Sequence, residues 1–258
     1  MQASMKIAVG LCLLAAMCAS RAIDDPEDDL LAERIQIRNA LEIVESITQR
    51  LERLKSDTRE DTIDEVTRRQ WEEMDNFRKH SNLLRNEMRR EVNAAKKKGI
   101  DAQPCYDTNS KGIDGHREAA TKESEKCKET AEKNIQNILD PLDIIKLTGD
   151  SLINDLESLI MDCHDINSAT EKACINGELT TINHEIKVYD GEVSSAGDSV
   201  FIASNNVIRQ ANKCISDVYV LARSNGESSM DSNSKCVKDA LEKKKQGRQI
   251  RTITFDLI

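Results

Sequence analysis

The sequence predicts an all-α protein: a disulfide-stapled helical bundle preceded by an amphipathic, coiled-coil-like helical region. Three observations lead to this fold class. Aromatic residues make up 3% of the chain and charged residues 32%, and only 10 glycines and 3 prolines occur in 258 residues. Apolar residues recur at steps of three and four, which is the period of a helix face. Six cysteines follow the N-terminal segment, an even number that is typical of disulfide-linked domains.

Residues 1–22 have the composition of a secretory signal peptide. Lys6 precedes the apolar run IAVGLCLLAAMC, and small residues allow cleavage after Ser20 or Ala22. The run is too short to span a bilayer, and no later segment reaches about 18 consecutive apolar residues. We therefore expect a secreted, extracellular protein without a membrane span. The formal net charge of −9 argues against nucleic acid as its main partner.

The second region, residues 23–99, contains no cysteine and is rich in arginine and glutamate. Two apolar stripes, over residues 37–54 and 63–88, predict helices of coiled-coil width. The segment SDTREDT, residues 56–62, predicts a turn between them. The region would then be an antiparallel hairpin or a coiled coil that self-associates through residues 30–95. The aromatic side chains expected in its core are Trp71 and Phe77.

The segment KKKGIDAQPC, residues 96–105, predicts a boundary between two parts of the chain. Gly99 can cap the preceding helix, and Pro104 prevents that helix from continuing. We expect a six-cysteine helical domain over residues 100–246. The remaining residues, 247–258, form a C-terminal tail whose alternating pattern predicts a short strand or an ordered extension.

Two further helix starts are predicted inside the six-cysteine domain. Asp140 and Pro141 fit an N-cap followed by a first-turn proline. Ser168 and Glu171 have the spacing of a capping box, in a segment that predicts a turn or a short helix. Both signals place a helix boundary at a polar residue.

The clearest periodicity covers residues 179–221, where apolar residues keep steps of three or four. It predicts a long helix, and Gly191 and Gly197 within it allow a kink or a break. The segment SNGESSMDSNS, residues 224–234, predicts a loop before the last helix.

The cysteines are the main candidates for a structural or chemical site. In an oxidising compartment six cysteines indicate three disulfides, and fifteen pairings are open. The first and last intervals between them are equal, which makes an internal duplication conceivable. The six are Cys105, Cys127, Cys163, Cys174, Cys214 and Cys236.

Metal binding and nucleophilic catalysis fit the sequence less well. Structural zinc sites usually draw ligands from close pairs, which are absent from this sequence. Cys163 and His164 are neighbours, but adjacent helical residues point about 100° apart and do not form a dyad. We expect no catalytic, cofactor-binding or metal-binding residue. The scattered histidines are His80, His116, His164 and His184.

The cysteine order C-x21-C, C-x10-C, C-x21-C over residues 105–236, together with the signal peptide and the helical texture, resembles the TsetseEP domain family of secreted insect proteins. The resemblance covers about residues 105–240 and implies an insect gut, salivary or similar fluid as the setting. It implies no catalytic residues. The arginine-rich region before Cys105 is not explained by it, and the glutamate-proline repeats of the name-giving protein do not occur.

Three functions compete on this sequence. A secreted, non-enzymatic interaction or scaffold protein fits a long amphipathic pattern without convergent chemistry, and its partner would be a protein, including a second copy of the chain. A carrier of a small apolar ligand is the alternative, because disulfide-linked helical bundles can enclose a cavity. An enzyme comes third, since charge runs on helices are usually solvated faces.

Overall fold

The structure of the protein is a computed structural model that describes the backbone of residues 30–255 and the side chains of residues 30–244. The predicted signal peptide, residues 1–22, lies outside the described residues. No β-strand occurs within residues 30–255, so the all-α fold class is confirmed. Four helices occur in this described range: α1 (Leu31–Lys97), α2 (Gln103–Leu139), α3 (Leu142–Asp162) and α4 (Ser168–Phe255).

Contacts divide these helices into two compact units. The described part of unit 1 comprises residues 30–51 and 144–194, and that of unit 2 comprises residues 52–143 and 195–255. Each unit combines a stretch of α1 and a stretch of α4 with one of the two shorter helices. Neither unit is therefore a single consecutive segment of the sequence.

Unit 1 packs the start of α1 against α3 and the first part of α4. In this unit α1 and α4 run parallel, because Asn176 lies opposite Glu33 and Tyr189 lies opposite Thr48. The first predicted stripe is confirmed, since its members supply the α1 side of the core. The buried apolar residues of the three helices include Ile37, Val44, Ile47, Leu51, Leu152, Leu156, Leu159, Leu179, Ile182, Ile186 and Tyr189.

Unit 2 packs α2 between the later stretches of α1 and α4. Here α2 runs antiparallel to α1, since Gln70 contacts Ser124 while Arg89 contacts Tyr106. Two apolar clusters form the core. The fully buried or nearly buried members include Val66, Phe77, Leu84, Met88, Ile113, Ala131, Ile215 and Tyr219 in the larger cluster and Val92, Ala95, Ala102, Cys105 and Val237 in the smaller one.

The two aromatic residues predicted for the core behave differently. Phe77 is fully buried and packs against Tyr219, with ring centroids 6.2 Å apart. Trp71 is 61% exposed, so its prediction as a core residue is wrong. Six residues at about 100° per residue place the two side chains about 120° apart around α1, and only one of them can face the core.

The predicted turn at residues 56–62 and the predicted loop at residues 224–234 are both wrong, because α1 and α4 continue through them. The first segment contains neither glycine nor proline, and its Thr62 is buried. The second is held as helix by its neighbours: Asn233 and Ser234 both donate to the carboxylate of Glu91, at 2.8 and 2.6 Å. Tertiary contacts outweigh the low helix propensity of serine, glycine and asparagine there.

The two glycines of α4, Gly191 and Gly197, do not break the helix, which is continuous over that stretch. The core register does slip near its end. Leu221, predicted on the apolar stripe, is 62% exposed, whereas Tyr219 and Ala222 are buried. After Ala211 the next buried residue is Ile215, four residues on, whereas the prediction took a step of three to Cys214. From there on, the buried residues follow the predicted ones by one position. The tail predicted as strand or extension begins inside α4, which reaches Phe255.

The capping signals in the sequence predicted the end of α1 correctly, but they were less accurate for the starts of α3 and α4. Gly99 ends α1 with φ of 72°, a conformation that glycine adopts without strain. Asp140 keeps helical backbone angles, and its carboxylate accepts a hydrogen bond from Gln136 instead of capping α3. The start of α4 is capped by Asn167, whose side-chain oxygen accepts from the backbone N–H of Ala169 at 3.0 Å.

Candidate interaction surface

The six predicted cysteines join in three disulfides, and the structure supplies the pairing that the sequence left open. Cys105 pairs with Cys236, Cys127 pairs with Cys214, and Cys163 pairs with Cys174, with Cα–Cα distances of 5.8, 5.9 and 5.6 Å. The first two link α2 to α4 within unit 2. The third links the end of α3 to the start of α4 within unit 1.

The two long-range disulfides of unit 2 form a ladder between antiparallel helices. On α2 the two rungs are separated by the interval from residue 105 to 127, and on α4 by the equal interval from residue 214 to 236. Both intervals equal about six helical turns, so both cysteines of a helix lie on one face. Equal intervals in opposite chain directions are what two bridges between antiparallel helices require. This geometry accounts for the spacing that suggested a duplication.

Three of the histidines have different neighbours. His80 lies 3.5 Å from Glu227, His116 lies 3.3 Å from the hydroxyl of Ser229, and His164 lies 3.4 Å from Glu171. Within the side chains described, no three His, Cys, Asp or Glu residues gather into a group that could hold a metal ion.

A buried carboxylate forms the most connected polar cluster of unit 2. Glu73 is 4% exposed, and its two oxygens accept hydrogen bonds from Arg69 at 2.7 Å and from Arg223 at 2.9 Å. Ser216 donates a third at 3.3 Å. Arg69 also lies 3.7 Å from Glu72, so two carboxylates face the two arginines. Because Arg223 and Ser216 belong to α4, the cluster joins α1 to α4 and fixes their register.

Exposed ion pairs follow the helix surfaces. A hydrogen bond from Lys79, and then one from Arg78, lowers the pKa of Asp75 below its ordinary value. All three residues lie on the solvated side of α1. Pairs of this kind at three or four residues' separation stabilise a helix slightly and mark no reactive site.

The feature of unit 1 that offers a binding surface is a groove between α1 and α4, with a volume of about 600 Å³. Ile47 and Ile186 are buried and form its apolar floor, whereas Ile43 is 50% exposed on its wall. Arg50 pairs with Asp190 at one end. We call this surface the α1–α4 groove; its lining residues are Asn39, Glu42, Ile43, Ser46, Ile47, Asn183, Ile186, Lys187 and Asp190.

Two more apolar side chains are half exposed on α1 near the groove. Ile35 and Leu31 are 51% and 52% exposed, and they lie eight and twelve residues before Ile43. At about 100° per residue they lie about 80° and 120° around the helix from Ile43, so they do not line the groove with it. Sequence reasoning missed the exposed position of Ile43, because the predicted stripe described the core-facing side of α1.

Two other clefts are smaller. In unit 1 a cleft of about 360 Å³ between α3 and α4 is lined by acidic side chains, among them Asp155 and Glu185. In unit 2 a cleft of about 240 Å³ runs beside the Cys127–Cys214 disulfide. Typical pockets for small ligands measure about 300–1,000 Å³, so the α1–α4 groove lies inside that range and the cleft of unit 2 lies below it.

Unit 2 also exposes large apolar side chains: Trp71 and Leu83 on α1, and two pairs of sequence neighbours on α4, Phe201–Ile202 and Val220–Leu221. Exposed apolar residues are common on protein surfaces. Leu221 lines a cleft of about 110 Å³, much smaller than the α1–α4 groove. We therefore regard the α1–α4 groove as the candidate interaction surface.

Over the described residues, none of the helices has a stretch that is long and apolar enough to cross a bilayer. No family model matches the chain, and neither the curated proteins nor the solved structures yielded a match.

Proposed function

We propose that the protein is a secreted, non-enzymatic interaction protein that works in an extracellular fluid and binds its partner through a helix surface. The observation that carries the proposal is the α1–α4 groove, which combines an apolar floor with the half-exposed side chain of Ile43. Helix-in-groove recognition uses such a surface, because an amphipathic helix can lay its apolar face into it.

Two further observations support the setting. Three disulfides persist in oxidising compartments, which include extracellular fluids. The cysteine order resembles that of secreted insect proteins, which favours gut, saliva or a similar fluid. The dominance of solvated ion pairs over convergent polar groups favours binding rather than catalysis.

The test recovers the tagged, disulfide-intact chain from its source fluid and weighs the complexes by native mass spectrometry. We compare the wild type with Ile43→Asp, which places a charge on the groove wall, and with Glu157→Lys on the exposed side of α3 as a control. Complexes heavier than one chain should form with the wild type and the control. Ile43→Asp should reduce them about fivefold or more, the effect of losing one important interface side chain. Recovery of the wild type only as a single chain would contradict the proposal.

A carrier of a small apolar ligand is the second candidate function. The volume of the α1–α4 groove, about 600 Å³, is the observation that favours it. Native mass spectrometry of the protein from its source fluid would then show a bound lipid-sized mass, and a fluorescent fatty acid would be displaced by that ligand. Protein that carries no added mass and does not bind the probe would count against a carrier.

A further inference from the structure

We propose that the occupant of the α1–α4 groove is a second copy of this chain, which makes unit 1 a reversible dimerisation module. This inference rests on the interaction role proposed above and names the partner. It depends on how apolar and charged side chains are distributed on the two ridges that border the groove.

The two ridges differ in character. The α1 ridge carries the side chain of Ile43, which is half exposed, beside the buried Ile47 of the floor. The α4 ridge is polar where it lines the groove, with Asn183 and Lys187. An apolar ridge beside an apolar floor fits the same ridge of another copy, because each copy can then bury its own α1 ridge in the groove of the other.

Each ridge also carries one exposed, charged side chain that lines the groove. Glu42 on α1 and Lys187 on α4 make no ion pair with any side chain among residues 30–244. Thr48 and Tyr189 lie at the same level, since their hydroxyls are 3.0 Å apart. Counting back six residues on α1 and two on α4 places Lys187 about one helical turn, roughly 5–6 Å, above Glu42 along parallel helices. One acidic and one basic group thus border the groove about one helical turn apart.

A two-fold axis along the groove makes this surface complementary to itself. Such an axis keeps the two α1 segments parallel, brings Ile43 of each copy toward that of the other, and sets Glu42 beside the other copy's Lys187 twice. A two-fold axis across the groove would instead bring like charges together. Two-fold dimers use one patch on both subunits, so each favourable pair occurs twice.

The size of the surface sets the expected affinity. Residues 31–50 rise about 30 Å, and two adjacent helices are about 20 Å wide, so each copy presents about 600 Å². The total of about 1,200 Å² lies at the lower end of specific interfaces. We expect a dimer that dissociates in the micromolar range and weakens with salt, because its charged pairs lie at the rim.

The experiment is sedimentation of the disulfide-intact secreted chain between about 1 and 100 µM. Besides the wild type it uses Glu42→Lys, Lys187→Glu, both changes in one chain, and Glu157→Lys as a control. All three positions are exposed, so circular dichroism should show the same helix content in every variant. Each single groove variant should weaken the dimer about tenfold or more, because two attractive pairs become repulsive.

The decisive sample is an equimolar mixture of the two single variants. Across the proposed interface the mixture regains two opposite-charge pairs, so it should dimerise close to the wild-type affinity, as should the chain with both changes. The control should match the wild type. A wild type that stays monomeric up to the highest concentration would overturn the proposal, while complexes with another protein in the source fluid would still support the interaction role. The proposal would also be overturned if the single variants dimerised with the wild-type affinity, or if their mixture stayed monomeric.

Discussion

Gly149 on α3 offers the sharpest test of how unit 1 is packed. A Cβ atom built on this glycine would lie 2.5 Å from the hydroxyl of Tyr189, 2.7 Å from the hydroxyl of Thr48 and 2.7 Å from the ring carbon Cζ. Tyr189 is fully buried, and its hydroxyl lies 3.0 Å from that of Thr48. Gly149→Ala therefore forces a buried ring or a helix to move.

The magnitude follows from three terms. Overpacking a core costs about 1–3 kcal/mol, and loss of the hydrogen bond between Thr48 and Tyr189 costs about 0.5–1.5 kcal/mol. The gain in helix propensity from glycine to alanine offsets about 1 kcal/mol. We expect Gly149→Ala to lower the free energy of unfolding by about 2 kcal/mol, measured by urea denaturation of the oxidised protein with far-UV circular dichroism.

Gly191→Ala is the matched control in the same unit. A Cβ atom there meets no other atom within 4 Å, so the same chemical change should raise the free energy of unfolding by about 0.5–1 kcal/mol. The two variants should therefore shift stability in opposite directions. A Gly149→Ala protein as stable as Gly191→Ala would refute the close packing of α3 on Tyr189.

Three further predictions concern unfolding and titration. Glu73→Gln should cost about 2 kcal/mol in urea denaturation, because it leaves two half-buried arginines facing a neutral amide. Replacing Cys163 and Cys174 by alanine opens a disulfide with a sequence separation of 11 and should cost about 3 kcal/mol in the loop-entropy account, measured in the same way. Asp75, which accepts a hydrogen bond from Lys79, should titrate below its ordinary pKa of 3.8 in an NMR experiment; its contribution to stability is present above that pH and is lost as the pH falls through the lower folded-state value.

Each of these has its own control. Glu72→Gln changes an exposed carboxylate on the same helix and should shift stability by no more than about 0.5 kcal/mol; an equal loss would show that burial of the neighbouring glutamate contributes nothing. Opening Cys127–Cys214, with a separation of 87, should cost more than opening the shorter bridge, about 4–5 kcal/mol. The reverse order would contradict the loop-entropy account. A measured pKa of Asp75 at or above 3.8 would contradict the hydrogen bonds from Lys79 and Arg78.

The sequence predicted helices wherever a periodic apolar face was strong. Ile37, Val44, Val66 and Met88 are buried as their spacing indicated. Continuity was harder to predict, because serine- and asparagine-rich residues 224–234 have low helix propensity. They stay helical through contacts with distant residues, and such contacts cannot be read from a local window.

The cysteine pairing and the position of the groove differ in how far the sequence could have predicted them. The equal intervals between the outer cysteines already contained the signature of an antiparallel ladder, so the pairing was open to inference. The role of Ile43 was not. Its exposure depends on which sides of α1 are covered by α3 and α4, and this follows only from the way the three helices come together.

The distribution of the disulfides has a consequence for proteolysis. Helices α2 and α3 are each tethered to α4 through sulfur, whereas α1 contains no cysteine. A cut in the short connection around Gly99 would leave α1 attached by packing alone, while cuts between the other helices would leave their fragments covalently joined. In a fluid rich in digestive enzymes, α1 would therefore be the part that one cleavage could release, and the apolar ridge of the groove would leave with it.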